Sequence, residues 1–350
     1  MWERLEPFHL DWIQVEVSAR CTGRCRYCPV SRVGGQRRGG LMAPGTFARL
    51  LPHLSAADLV YLQGWGEPLL HPEFWSMARQ AAEVGARVGF TTNGVLLDDL
   101  NRKALLESPV EIVGVSLAGA TPGTHDRFRE GCPLSVLDEN LRALREAREK
   151  AGLDRPRLHV AFLLLADNLE ELPDAVSLSR HWGASQMVVS QLSLVLDPEM
   201  EEQSILTRSD LWPRARDTIH DARSRAGRGA GGEGMAFHVY EWSAAEALPA
   251  CPENVLRSCF VSASGLVSPC VMTNVGLTGA GGMTHRFQNA SVPQETLTFG
   301  SLQEASLEEI WRSPAARAFR RAFRNRIWRG TRGSQGLPGV CTHCYKLFEA

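Results

Sequence analysis

The sequence predicts an α/β protein, a partial (β/α)6-type TIM barrel followed by a small α+β domain built around clustered thiols. Three observations predict it. Six short apolar runs of strand character alternate with helix-like stretches over the first half of the chain, which implies a parallel sheet with helical crossovers. A Gly-rich stretch at 222–236 interrupts the pattern. Eight of the nine cysteines fall in two groups, one near each end. The division that follows is a barrel domain over 1–221, a flexible linker over 222–236 and a thiol-bearing domain over 237–350.

Trp12-Ile13-Gln14-Val15-Glu16-Val17 alternates apolar and polar residues as a half-buried strand does. Further strands are read at 59–62, 86–91, 112–117, 158–164 and 187–190, with helices at 45–54, 73–84, 97–107, 135–151 and 169–183. In the helix at 135–151, Arg142 with Glu146, Arg145 with Glu149 and Glu146 with Lys150 suit an exposed face. Six βα units fit a partial barrel better than a closed eightfold one. Beyond the linker, Cys259 to Cys270 reads as a hairpin turning at Gly265, and Leu307 to Phe323 as one amphipathic helix. A second Gly-rich connection, 330–339, precedes Cys341-Thr-His-Cys344.

Composition bounds the function classes. With 44% apolar and 22% charged residues, the chain has the makings of a packed core and not of a disordered polymer. A net charge of −1 argues against binding nucleic acid by bulk positive charge. The eight arginines between 312 and 332 read as a solvated helix face rather than an RNA-binding strip. No apolar run approaches the about 18 residues that span a bilayer, and Glu3, Arg4 and Glu6 are foreign to a signal peptide. A cytoplasmic protein is expected. An odd cysteine count without an export signal argues against a disulfide framework; clustered thiols in a reducing compartment serve metals or redox chemistry. Cys132 reads as a packed thiol, His159 and His181 as packed or surface residues, and His238, Tyr240, Glu241 and Trp242 as part of a core strand.

Cys21-Thr-Gly-Arg-Cys25-Arg-Tyr-Cys28 follows the first strand, where a barrel of this kind places its active-site loops. Three close thiolates can hold three irons of a cubane cluster and leave the fourth open. A zinc site is the other reading, but no His or Cys follows within ten residues to close it.

Cys21-x3-Cys25-x2-Cys28, with Tyr27 before its last cysteine, resembles the radical S-adenosylmethionine (radical SAM) enzymes. Gly64-Trp65-Gly66-Glu67-Pro68 resembles that family's Gly-Gly-Glu-Pro segment, with Trp65 in place of the commoner glycine. Thr91-Thr92-Asn93-Gly94 is similar to the segment near the SAM ribose, and Ser116 to a serine that contacts SAM. His125-Asp126-x-x-Arg129 stands where such a stretch often follows. The resemblance covers about 12–200. It implies a [4Fe-4S] cluster on Cys21, Cys25 and Cys28 whose open iron is chelated by SAM. It further implies SAM contacts from Tyr27, Gly66, Glu67, Pro68, Thr92, Asn93 and Ser116, with Glu67 accepting from the SAM ammonium, and an electron donor such as flavodoxin or ferredoxin.

Cys251-x13-Gly265-x4-Cys270 with Cys341-x2-Cys344 resembles the auxiliary-cluster domains called SPASM or, in shorter form, twitch. Phe299 to Trp311 is similar to the segment between SPASM cysteines. Five cysteines stand here where the full domain has seven. The resemblance therefore implies one auxiliary [4Fe-4S] cluster on Cys251, Cys270, Cys341 and Cys344, with Cys259 as an alternate ligand. A four-thiolate zinc ribbon is the competing reading.

The expected activity is reductive cleavage of SAM to a 5′-deoxyadenosyl radical and hydrogen abstraction from a substrate. The auxiliary cluster points towards oxidation, dehydrogenation or cross-linking. Only twenty residues precede Cys21, which tilts the expectation to a small molecule or a peptide delivered by a partner. The ending Lys346-Leu-Phe-Glu-Ala350, without a Gly-Gly tail, sets the chain apart from the molybdenum-cofactor branch. Two other classes remain: a ribosomal-peptide or protein side-chain maturase, and a non-catalytic zinc- or cluster-binding interaction protein. No catalytic acid or base is singled out.

Overall fold

The computed structural model describes residues 7–33, 40–227, 234–240, 246–276 and 283–349. Seven parallel strands run side by side in chain order: β1 (Leu10–Val15), β2 (Ala57–Leu62), β3 (Val88–Thr92), β4 (Ile112–Leu117), β5 (Arg157–Leu163), β6 (Gln186–Ser190) and β7 (Ala236–Val239). Helices α1 (Pro29–Val33), α2 (Pro44–Leu54), α3 (Phe74–Glu83), α4 (Asp99–Leu106), α5 (Pro122–Phe128), α6 (Leu134–Lys150), α7 (Leu172–His181), α8 (Pro198–Gln203) and α9 (Trp212–Gly227) fall between them. The six expected strands and five expected helices are all present, within three residues at each end.

Strand alternation separates an outer face from a lumen. Leu158, Val160 and Phe162 of β5 join the hydrophobic core, whereas His159, Ala161 and Leu163 between them stay partly exposed. Register carries that face across the sheet. Gly114 and Ser116 pair with His159 and Ala161, Ala161 with Val188, and Val188 with His238. His159 and His238 thus lie on the lumen side that holds Ser116, and the exposed His238 corrects the reading of its strand as core.

The second part of the chain extends the same sheet. β8 (Ser258–Val261) pairs parallel with β1, and β9 (Leu266–Ser268) and β12 (Gly300–Ser301) follow antiparallel. β10 (Thr284–Phe287) and β11 (Ala290–Pro293) form a separate hairpin. Among the described residues the end strands β7 and β12 do not pair, so the barrel is partial. The β8–β9 turn is at Gly265, with φ +83°, a conformation glycine adopts without steric cost.

Four expectations change. The linker over 222–236 is helical through Gly227 and becomes β7 at Ala236; 228–233, like Glu241 and Trp242, lie outside the described residues. The helix expected over 307–323 is two, α10 (Leu307–Trp311) and α11 (Pro314–Arg329). Ser313 caps the second by accepting from Ala316 N at 3.2 Å, and Pro314 occupies its first position. Two of the arginines read as solvated are buried. Arg320 stacks 3.9 Å over Trp311 and donates to its carbonyl; Arg326 donates to the carbonyls of Leu248, Gly333 and Gln335. On α6, Arg145 pairs with Glu149 as expected, whereas Arg142 reaches back to Asp138.

Candidate active site

The loops that leave β1, β2, β3 and β4 converge on one cavity. Cys21, Cys25, Tyr27, Cys28, Gly66, Glu67, Thr92, Asn93 and Ser116 all line it. Pro68 does not: it is buried at the start of a short turn, Pro68–Leu70.

Close backbone approach explains the glycine. A Cβ on Gly66 would stand 2.2 Å from the Ser18 carbonyl oxygen and 2.5 Å from that of Arg20. Glu67, 2% exposed, then binds the β2 loop to the β3 loop. Its Oε1 accepts from Thr92 Oγ1 at 2.8 Å and Leu69 N at 3.2 Å; its Oε2 accepts from Asn93 N at 2.8 Å. Burial raises the carboxyl above its ordinary range while these donors pull it back. Most of its acceptor capacity is therefore used within the chain. Asn93 Nδ2 donates to Thr22 Oγ1 at 2.9 Å and reaches Cys21 Sγ at 3.8 Å, tying the β3 loop to the cysteine loop.

Two residues that the sequence did not single out belong to this site. Arg129 is 6% exposed and lines the cavity. Its Nη1 donates to Tyr27 Oη at 2.6 Å, and its Nε is buried without a partner. A buried guanidinium with an open donor is a ready acceptor of an anionic group. Its place in the His125-Asp126-x-x-Arg129 stretch was the available signal. Cys132, packed as expected, donates its thiol to Cys25, and that contact is the largest cause that holds Cys25 down at about 6, against burial. His125 positions it: Nδ1 accepts from Ala118 N, and Nε2 donates to the Cys132 carbonyl at 3.1 Å. Burial first, and then the Arg129 charge, lowers His125 to about 3, so it is neutral.

The opposite wall comes from the second part of the chain. Val271 and Met272 line the cavity together with Trp65.

Cys251, Cys270, Cys341 and Cys344 line a second, separate pocket, and Met272 borders both. Cys259 is not among its walls; it sits in β8, 2% exposed, within the hydrophobic core. Burial pushes Cys270 up to about 12, with Glu253 and Cys344 adding repulsion, and Cys344 up to about 11 although Lys346 pulls it back. Cys251 rises for the same reasons, burial first and then the nearby Cys270 and Cys344. Four buried thiols that resist ionisation near one another are a donor set that a cation would relieve. Lys346 borders the same pocket, its Nζ 3.0 Å from Glu349 Oε2 and 3.5 Å from Glu253 Oε1. Glu349, fully buried, also accepts from Ser193 Oγ at 2.5 Å.

Two family models match the chain. The model of the radical SAM superfamily matches residues 15–178, and that of an iron–sulfur cluster-binding domain, SPASM, matches 251–345. The tungsten-containing aldehyde ferredoxin oxidoreductase cofactor-modifying protein of Pyrococcus furiosus is 25% identical over 91% of this chain and 85% of its own. An AdoMet-dependent heme synthase of Oleidesulfovibrio alaskensis is 20% identical over 94% and 78%. Among solved structures, SuiB of Streptococcus suis bound to S-adenosylmethionine superposes with a TM-score of 0.66 at 14% identity, covering 89% of this chain and 68% of SuiB.

Proposed function

We infer what the two thiol sites hold and do from one premise, that the chain belongs to the radical SAM superfamily and carries an iron–sulfur cluster-binding SPASM domain. Cys21, Cys25 and Cys28 hold a [4Fe-4S] cluster, and SAM fills the rest of the cavity they line. The observation that carries this reading is the convergence of the three thiols with Glu67, Asn93, Ser116 and Arg129 on one cavity. The reduced cluster supplies the electron that cleaves SAM to a 5′-deoxyadenosyl radical; the protein supplies position and shielding.

The chain's own residues divide the work. Arg129 offers its unpartnered Nε to the SAM carboxylate. Glu67 keeps one lone pair of Oε2 for the SAM ammonium and otherwise holds Thr92 and Asn93 in place. Cys251, Cys270, Cys341 and Cys344 hold the auxiliary cluster; Cys259, packed in β8, takes no part. An auxiliary cluster beside the cavity, with Met272 between, suits removal of an electron from a substrate radical. The reaction would thus be a net oxidation with SAM as the oxidant: a flavodoxin or ferredoxin would give the electron that cleaves it, and the electron taken from the substrate radical would leave through the auxiliary cluster to an acceptor of the same kind.

We favour a small molecule, such as a cofactor precursor, over a peptide as substrate. Two relatives that align along most of this chain carry names that record work on a cofactor. Among the described residues no helix is long and apolar enough to cross a membrane; with two sets of free thiols, a reducing cytoplasm is the fitting compartment.

The test is iron and sulfide content after anaerobic reconstitution, with SAM-dependent EPR and 5′-deoxyadenosine formation. Wild type should hold about eight irons, and a Cys21/Cys25/Cys28→Ala triple variant about four, with no SAM cleavage. Four irons falling to none would leave the C-terminal thiols to zinc and remove the oxidation reading.

A further inference from the structure

Trp65 stands where the related segment commonly has glycine, and its contacts reach out of the barrel. Its backbone N–H donates to Glu16 Oε1 at 2.9 Å. Its indole Nε1 donates to two carbonyls of the second part of the chain, Val271 at 3.2 Å and Asn274 at 3.1 Å. These carbonyls belong to the segment that starts immediately after Cys270, whose residues Val271 and Met272 wall the SAM cavity. Glu16, 2% exposed, closes the bridge from the other side: its Oε2 accepts from Ala263 N in the β8–β9 turn at 3.3 Å. Gly64 is pressed on Glu16 so closely that a Cβ there would stand 2.3 Å from its side chain. The carbonyl of Met272 is held in turn by Gln294 Nε2 at 2.9 Å, and Asn274 is anchored to Ser268 Oγ at 3.0 Å.

We propose that Trp65 is a positioning residue that clamps the Cys270 segment to the Gly64–Glu67 segment, so that one indole N–H fixes the spacing of the two thiol sites and the placement of the Val271–Met272 wall between them. The inference rests on the reading that both thiol sites hold clusters. Its physical content is directional. The ring fills space as any aromatic would, but of its atoms only the N–H, shared between two carbonyls, gives a directional tie between the Cys270 segment and the SAM motif. A residue that merely packed would be replaceable by phenylalanine.

The experiment uses the anaerobically reconstituted full chain as wild type, W65F and W65G. Iron content and 5′-deoxyadenosine formation by wild type check the underlying reading. Pulsed EPR of the doubly reduced protein reads the magnetic interaction between clusters, and a redox titration reads the auxiliary potential. W65F should retain about eight irons, lose the wild-type inter-cluster broadening and shift the auxiliary potential; W65G should do so further. If W65G fails to fold, W65F still carries the test. Wild-type interaction and potential in W65F overturn the clamp while leaving the two-cluster reading intact. A wild type with one cluster, or none that cleaves SAM, overturns that reading and the clamp with it.

Discussion

Asn93 donates its backbone N–H to Glu67 Oε2 at 2.8 Å, and this one bond joins the loop after β2 to the loop after β3. Thr92 Oγ1 doubles the link on the other carboxylate oxygen. The acid in the Gly66-Glu67-Pro68 segment is thus first a strut between two barrel loops and only second a ligand group. Its burial makes the strut sensitive to which atoms donate.

Glu67→Gln should show this. However the amide turns, its NH2 faces a donor, either Asn93 N–H or Leu69 N–H. An unpaired buried donor costs about 1–3 kcal/mol, so SAM affinity should fall about tenfold or more. A SAM titration followed by EPR, with a thermal melt of the same sample, measures both effects. Unchanged affinity and melting would remove Glu67 from the site.

Arg129→Lys tests the open donor. Lysine keeps the charge but loses the planar fork that holds Tyr27 through Nη1 and carries the buried, unpartnered Nε. Charged hydrogen bonds contribute about 1.5–3 kcal/mol, so SAM binding should weaken about 10- to 100-fold with the iron content unaltered. Loss of iron without loss of SAM affinity in the remaining holoprotein would assign Arg129 to the cysteine loop instead.

These two residues also mark what the sequence discloses. Glu67 was legible because its neighbours Gly66 and Pro68 are a local pattern. So were the strands that deliver it, because alternation is written residue by residue into β1 and β5. Arg129 lay within a legible stretch, but its burial against Tyr27 depends on how α5 docks, which no local pattern records. Cys132 is further from reach: its thiol meets Cys25 only because His125 and the turn after α5 fold back on the cysteine loop. β7 is four residues beside a Gly-rich stretch, too short for periodicity to show. The break before α11 was readable in Ser313-Pro314, a cap followed by a first-turn proline, and was masked by the apolar spacing on either side.

Two histidines held below their ordinary value predict an acid response with a definite sign. His125 is held down at about 3 and His159 at about 4, burial being the main cause in both. Their stability contribution is present above the unfolded value of about 6.5 and is lost as pH falls towards the folded values. Over that window the unfolded chain binds protons that the folded chain refuses. Denaturant melts at pH 7.5 and 5.5 should therefore show a lower midpoint at 5.5, and His125→Gln should narrow the gap. Equal or higher stability at 5.5 would contradict the neutral state of these rings.

Cys251 and Cys259 precede the same hairpin turn, and the structure places them apart. Cys251 faces Cys270, Cys341 and Cys344 in one pocket, whereas Cys259 is packed in β8, opposite Ile13 of β1. Truncating Cys259 removes a small apolar group from a core, at a cost of about 1–2 kcal/mol. Truncating Cys251 removes one of the four thiols that line the second pocket. Cys259→Ala should therefore keep about eight irons and lower the melting temperature. Cys251→Ala should lose the auxiliary EPR signal while the SAM-responsive signal persists. The reverse pattern, with Cys259→Ala losing the auxiliary signal, would require β8 to leave β1 in the holoprotein. Iron analysis and EPR of the two single variants, reconstituted side by side, decide between these outcomes.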